Sequence, residues 1–184
     1  MDINLSQYAG FCDGVKRAYD MVMDIDMASV KKPVFVLGSL VHNEDVIKKI
    51  AEKGIDRISR EDFFSAGPEK IGTIIINAHG AGPDIFAHAR KIGTEIVDTT
   101  CPRVIKVQKL AQIYAKRGYR IIIVGDRDHK EVKGIDEWGD GNAFIISSEE
   151  DVEKISFGEN ENIAVLSQTT QNEDFYKKTA EAIK

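Results

Sequence analysis

The chain has 184 residues, 42% of them hydrophobic and 30% charged, with a formal net charge of −5. This is a globular profile, large enough to bury a core as one large domain or two small ones. The absence of a basic surplus excludes general binding to nucleic acid or to an anionic membrane as the main activity. No apolar run approaches the roughly 18 residues of a membrane span, and the N-terminal MDINLSQYAGFC has no basic segment followed by an apolar one. No secretory leader is therefore expected, and the expected location is cytoplasmic, without a membrane partner.

A first strand is expected at 3–8, ending in a turn that holds Gly10, Cys12, Asp13 and Gly14. Beyond Cys12, the apolar residues Val15, Ala18, Tyr19, Val22 and Met23 recur at the spacing of one buried helix face. A strand at Val34–Leu37 leads into a turn with Ser39, His42 and Asn43, and one at 73–77 leads into the glycine-rich AHGAG turn with His79. The strand at Glu95–Asp98 runs into DTTCP, where Cys101 precedes Pro102. Proline suits the first turn of a helix, whose N–H has no intrahelical acceptor. Val104, Val107, Ala111, Tyr114 and Ala115 mark the buried face of that helix.

A strand at Arg120–Val124 is followed by the turn GDRDHKEV, which carries His129 and Glu131. Strands at 143–147 and 163–166 complete the series, the last followed by SQTTQ with Thr169. That final turn also has a bland reading, with Thr170 as a helix N-cap and Glu173 three positions on.

Short, nearly continuous Val and Ile runs alternating with amphipathic helices predict an α/β fold with parallel strands covered on both faces. The pattern of strand, cysteine turn and helix occurs at Cys12 and again at Cys101. It predicts two pseudo-related lobes, 1–98 and 99–184, with the site at the carboxyl ends of the strands. Three of the four histidines and both cysteines fall in turns at those ends, and only His88 lies within a helix.

Each of these residues alone has an ordinary structural explanation, but those explanations do not account for their co-location. For the cysteines, a disulfide, two unrelated buried thiols and two ligands of one centre all remain open. A reducing compartment disfavours the first. Imidazoles, glycine-turn amides and hydroxyls together suit a phosphate or diphosphate. Thiolates on separate turns suit a soft metal or an iron–sulfur cluster. A carboxylate two residues from a histidine suits proton delivery. A zinc hydrolase is poorly served, because no CxxC or HExxH occurs.

The segments GFCDGVKRA, VHNEDVI, NAHGAGPDI, DTTCPRVIKVQ, DHKEVKGI and SQTTQ resemble, in order and spacing, the N-terminal two thirds of the 4-hydroxy-3-methylbut-2-enyl diphosphate reductase (LytB) family. The resemblance implies a three-lobed α/β protein around a 4Fe–4S cluster, with one cysteine from each lobe. It implies reductive removal of an allylic hydroxyl to give isopentenyl and dimethylallyl diphosphates in the methylerythritol phosphate pathway. By position it implies Cys12 and Cys101 as cluster ligands and Glu131 as proton source. His42, His79 and His129 become diphosphate contacts, and Thr169 positions substrate. It further implies an allylic diphosphate as the small-molecule partner and a ferredoxin- or flavodoxin-type electron donor.

The third cluster cysteine of the family has no counterpart among the two cysteines of this chain. A third-lobe polypeptide or a second subunit is the expected source of further ligands. Asp126 and Lys130 stand where the family usually has histidine and proline, so this turn is expected to be less rigid. The alternative is a non-catalytic two-lobe module that binds a diphosphate or senses iron.

Overall fold

The computed structural model describes residues 4, 10–41 and 43–183. In chain order its elements are α1 Asp13–Met23, β1 Val34–Leu37, α2 Glu44–Glu52, β2 Ile55–Ile58, α3 Arg60–Ser65, β3 Thr73–Ile76, α4 Pro83–Ile92 and β4 Glu95–Asp98. There follow α5 Pro102–Lys116, β5 Arg120–Val124, α6 Lys130–Trp138, β6 Phe144–Ile146, α7 Glu149–Val152, β7 Ile163–Ser167 and α8 Glu173–Ile183.

Among the described residues the strands form two wholly parallel sheets, ordered β2-β1-β3-β4 and β6-β5-β7. The fold is therefore α/β, built from parallel strand–helix units. In both sheets the chain lays its first strand inside, places the second on one flank and then crosses to the other. That reversal opens a crevice at the carboxyl ends of β1 and β3, and another at those of β5 and β7.

Alternation along the strands explains the continuous isoleucine runs. Ile75 of β3 packs with Ala18, Val22, Val36 and Ile50 on the side of α1 and α2, while Ile74 and Ile76 pack with Phe63, Ile85 and Ala89 of α3 and α4. In β5, Ile121 and Ile123 meet Ala111, Val132 and Ile135 of α5 and α6. Ile122 and Val124, on the opposite face, are fully buried as well. Strands covered on both faces have no polar side.

The strand expected at 3–8 falls, apart from Asn4, outside the described residues, and so does His42. β2 is an element that periodicity missed. It lies at a sheet edge, and its sequence IDRI has apolar residues only at its ends. The cap of α8 also differs from expectation: Asn172, rather than Thr170, accepts the Phe175 N–H at 2.9 Å. Thr170 instead accepts a hydrogen bond from Gln168 Nε2 at 2.8 Å. Among the described residues, no helix is long and apolar enough to cross a membrane.

Candidate active site

The two cysteines occupy equivalent local positions. Each is the N-cap residue of its helix, Cys12 of α1 and Cys101 of α5, and neither side chain bonds to its helix. Their thiols are free, Cys12 exposed and Cys101 partly so. Both line one cleft of about 700 Å³, bounded by Gly10–Gly14, Arg17, Cys101–Arg103 and Thr169–Thr170. Gly14 lets the helices meet there, since a β-carbon on it would lie 2.7 Å from Cys101 Sγ. Arg17 Nη1 donates to the Thr100 carbonyl at 3.3 Å, tying α1 to the cysteine turn. Thr100 is fixed in turn by Asp98 Oδ1, which accepts its N–H at 2.9 Å and also its hydroxyl. The positive ends of two helix dipoles thus border the cleft.

Thr169 connects this cleft to the crevice between β5 and β7. Its backbone N–H donates to Glu131 Oε1 at 2.6 Å and its hydroxyl to Oε2 at 3.0 Å. Glu131 is 2% exposed. A carboxylate that deep in the protein is tolerated because both oxygens accept hydrogen bonds. Gln168 sets the register of the turn. Its Oε1 accepts the Asp126 N–H at 3.0 Å while its Nε2 holds Thr170, so the turns after β5 and β7 are braced against each other.

His129 is the N-cap of α6, and its Nδ1 accepts the Glu131 N–H at 3.1 Å. That bond assigns the proton of the neutral ring to Nε2, which is left as the outward donor. The His129 ring meets the His79 ring edge to face, with centroids 5.3 Å apart. Imidazoles from the turns after β3 and β5, in different sheets, therefore converge. Asn77 holds the His79 turn: its Oδ1 accepts the His79 N–H at 3.0 Å, and its Nδ2 donates to the Leu37 and Ser39 carbonyls at 3.1 and 3.3 Å. Gly80, at φ +80°, completes that turn where a β-carbon would strike Gln108 Nε2 at 2.6 Å.

Despite Asp126 and Lys130, the turn after β5 is well tied. Besides the Gln168 bond, Arg127 N–H donates to Ser147 Oγ at 3.2 Å and Asp128 N–H to Asp126 Oδ1 at 3.0 Å. The His129 cap adds a fourth bond to this turn. His88 lies elsewhere, packed edge-on to Phe63 at 5.1 Å with Nε2 3.1 Å from the Phe63 carbonyl oxygen. That is a structural role.

The structure thus brings together Cys12, Cys101, Thr169, Glu131, His129 and His79. Pattern reading assigned no role to Gln168, Asn77, Arg17 and Gly14, which position those groups. Among the described residues, no set of three or more His, Cys, Asp and Glu side chains is grouped to hold a metal ion. Two thiols on one cleft are of the ligand type that iron–sulfur clusters take.

Fold and site together define an α/β protein of parallel strand–helix units that gathers thiols, imidazoles and a buried carboxylate at the carboxyl edges of two sheets. The chain belongs to the LytB protein family, whose profile matches residues 3–184. It is 36% identical over its whole length to the 4-hydroxy-3-methylbut-2-enyl diphosphate reductase of Caldanaerobacter subterraneus subsp. tengcongensis, covering 62% of that protein. It is 37% identical over 96% of its length to the reductase of the same name from Alkaliphilus oremlandii, covering 61% of it. The fold is similar to that of the E-1-hydroxy-2-methyl-but-2-enyl-4-diphosphate reductase from Plasmodium falciparum, with a TM-score of 0.83 and 33% identity over 96% of this chain and 54% of that one. A second solved structure, (E)-4-hydroxy-3-methyl-but-2-enyl diphosphate reductase, gives a TM-score of 0.80 and 29% identity over 98% of this chain and 63% of that one. The chain thus spans about six-tenths of the length of these curated relatives.

Proposed function

We propose that this chain supplies two lobes, 1–98 and 99–184, of a cytoplasmic 4-hydroxy-3-methylbut-2-enyl diphosphate reductase of the methylerythritol phosphate pathway. The observation that carries this reading is the Glu131–Thr169 pair, which joins the cysteine cleft to the imidazole edge. Cys12 and Cys101 would hold two positions of a 4Fe–4S cluster, with the other ligands coming from a third-lobe polypeptide or a second subunit. When bound, such a cluster supplies two electrons, passed to it by a ferredoxin- or flavodoxin-type donor. With two protons these reduce the allylic alcohol carbon and release the hydroxyl as water, giving isopentenyl and dimethylallyl diphosphates.

The residues of this chain do the rest. His79, His129 and His42 bind the diphosphate by donating to its oxygens. Glu131 delivers a proton, and Thr169 orients both that carboxyl and the substrate hydroxyl. Binding of 4-hydroxy-3-methylbut-2-enyl diphosphate to the chain, measured calorimetrically, tests this reading. Tight binding that is lost in His79→Ala and His129→Ala supports it. No binding, or binding unaltered by either substitution, overturns it.

A second reading is a non-catalytic diphosphate-binding or iron-sensing module, for which the paired imidazoles of His79 and His129 supply the anion contacts. Anaerobic reconstitution with iron and sulfide, addition of candidate partner polypeptides and assay with a low-potential donor separates the two. Product diphosphates appear under the first reading only.

A further inference from the structure

Helix α5 begins at the cysteine cleft and contains no acidic residue. Its buried side is formed by Val104, Gln108 and Ala111. At 100° per residue, Arg103, Lys106, Lys109, Ile113 and Lys116 fall on the opposite side, within an arc of about 140° and along about 20 Å. All five are exposed, and Arg117 at the C-cap extends the row. Among the described residues, none of the cations Arg103, Lys106, Lys109, Lys116 and Arg117 has a carboxylate within 4.0 Å, although lysines and arginines elsewhere on the surface form ion pairs.

Helix stability does not account for this face. Lysines three apart repel each other, and Arg103 sits at the positive end of the helix dipole. Nor does overall charge, since the chain carries 30 acidic and 25 basic residues. Between Lys109 and Lys116 on this face stands Ile113, 44% exposed and one of the large hydrophobic side chains left at the surface. An exposed apolar side chain flanked by like charges offers a partner one apolar contact within a charged surface.

We propose that the outer face of α5 is the docking surface for a small acidic protein, one that presents carboxylates around an apolar contact for Ile113. The row starts two residues beyond Cys101 and Ile113 stands about 18 Å along the helix from it, so only a partner that covers the whole row, from Lys116 back to Arg103, reaches the edge of the cleft. The proposal rests on the reductase reading for its purpose, since it gives the electron carrier a place to bind. Complementary charge raises the encounter rate and makes it fall with salt. A nucleic acid fits this face less well: its uncharged residues, Leu110 and Ile113, are aliphatic, with no ring for base stacking, and the chain as a whole is acidic.

The test measures association of the full chain with an acidic ferredoxin at low and high salt. The double variant Lys106→Glu/Lys109→Glu is compared with Lys48→Glu/Lys49→Glu on α2, which makes the same charge change elsewhere. The expected result is association that slows with salt, and a loss of at least about tenfold in association rate for the α5 variant against less than about twofold for the α2 variant. Ile113→Ala should speed dissociation while leaving association nearly unchanged. Equal slowing by both double variants, absence of ferredoxin binding, or tighter binding to single-stranded DNA or phosphatidylserine vesicles overturns the proposal. Circular dichroism verifies that each variant is folded. Pyrophosphate binding by the α5 variant is measured in parallel. Loss of ferredoxin binding with pyrophosphate binding intact concerns the docking face, whereas a wild-type chain that binds ferredoxin but no pyrophosphate refutes the reductase reading alone.

Discussion

The carboxylate of Glu131 is held by Thr169 through both its backbone N–H, at 2.6 Å, and its hydroxyl, at 3.0 Å, across the crevice between β5 and β7. Thr169→Val keeps the side-chain shape and the backbone bond but leaves Oε2 of a buried carboxylate without its hydroxyl donor. A loss of about 1–3 kcal/mol in unfolding free energy is expected. Glu131→Gln keeps the Thr169 N–H bond, and the hydroxyl can turn to accept from the amide, so its loss should be the smaller. Urea denaturation of the two variants checks the order. Under the proposed function the ranking should reverse in a reconstituted reductase, because only Glu131→Gln would remove the proposed proton source.

Gly14 and Cys101 Sγ are packed closely enough that an added methyl group would lie 2.7 Å from the sulfur. Within a helix, Gly→Ala ordinarily stabilises by about 1 kcal/mol. Here overpacking against the thiol is expected to win, with a net loss of about 1–2 kcal/mol and a displaced Cys101 side chain. Reaction of Cys101 with a disulfide reagent, followed in a Cys12→Ser background, should change rate in Gly14→Ala. An unchanged thiol rate together with raised stability would show that the contact relaxes without consequence.

How much of this site could be read from the sequence depended on the kind of interaction. The buried strands of β1, β3 and β5 are apolar at almost every position, because both faces are covered, and they are visible as Val and Ile runs. β2 is not, because an edge strand with Asp56 and Arg57 at its centre carries no such pattern. Cys12, Cys101, His79, His129 and Glu131 were visible as chemistry placed at strand ends. Gln168 and Asn77 were not, because their work is to brace one turn against another across 42 and up to 40 residues of sequence, which leaves no local spacing to read. The contacts between the sheets, such as Trp138 Nε1 donating to the Ala81 carbonyl at 2.9 Å, are equally silent in a single sequence.

A second contact between the sheets has a pH signature. Glu137 of α6 meets Arg60 of α3 at 2.9 Å, and Arg60 also pairs with Asp84 at 2.5 Å. Burial lifts the Glu137 carboxyl above its ordinary value of 4.5, outweighing the Arg60 guanidinium, which draws it down; the Asp84 charge adds to the lift. The folded state therefore binds this proton more tightly than the unfolded chain. Its contribution to stability is complete below the ordinary glutamate value and is lost as pH rises through the raised folded value. Glu137→Gln should match the wild type below pH 4.5 and gain on it toward neutrality, by a modest amount because the site is partly solvated. Urea midpoints across that range measure this; a difference that does not vary with pH would contradict it.

His129 combines two duties that substitution can separate. As N-cap it accepts the Glu131 N–H through Nδ1, and its Nε2–H is the donor left for an anion. Asparagine is a good N-cap whose side-chain oxygen can take over the first duty, but it reaches less far and cannot reproduce the second. His129→Asn should therefore stay within a few tenths of a kcal/mol of the wild type in stability, whereas His129→Ala should lose about 1 kcal/mol with the cap. Both should bind inorganic pyrophosphate more weakly, by about tenfold for the loss of one hydrogen bond to a charged oxygen. Denaturant midpoints and calorimetric titration of the same two proteins give both readouts. Equal pyrophosphate affinity in His129→Asn and the wild type would confine His129 to capping α6 and leave the anion to His79 and the residues around it.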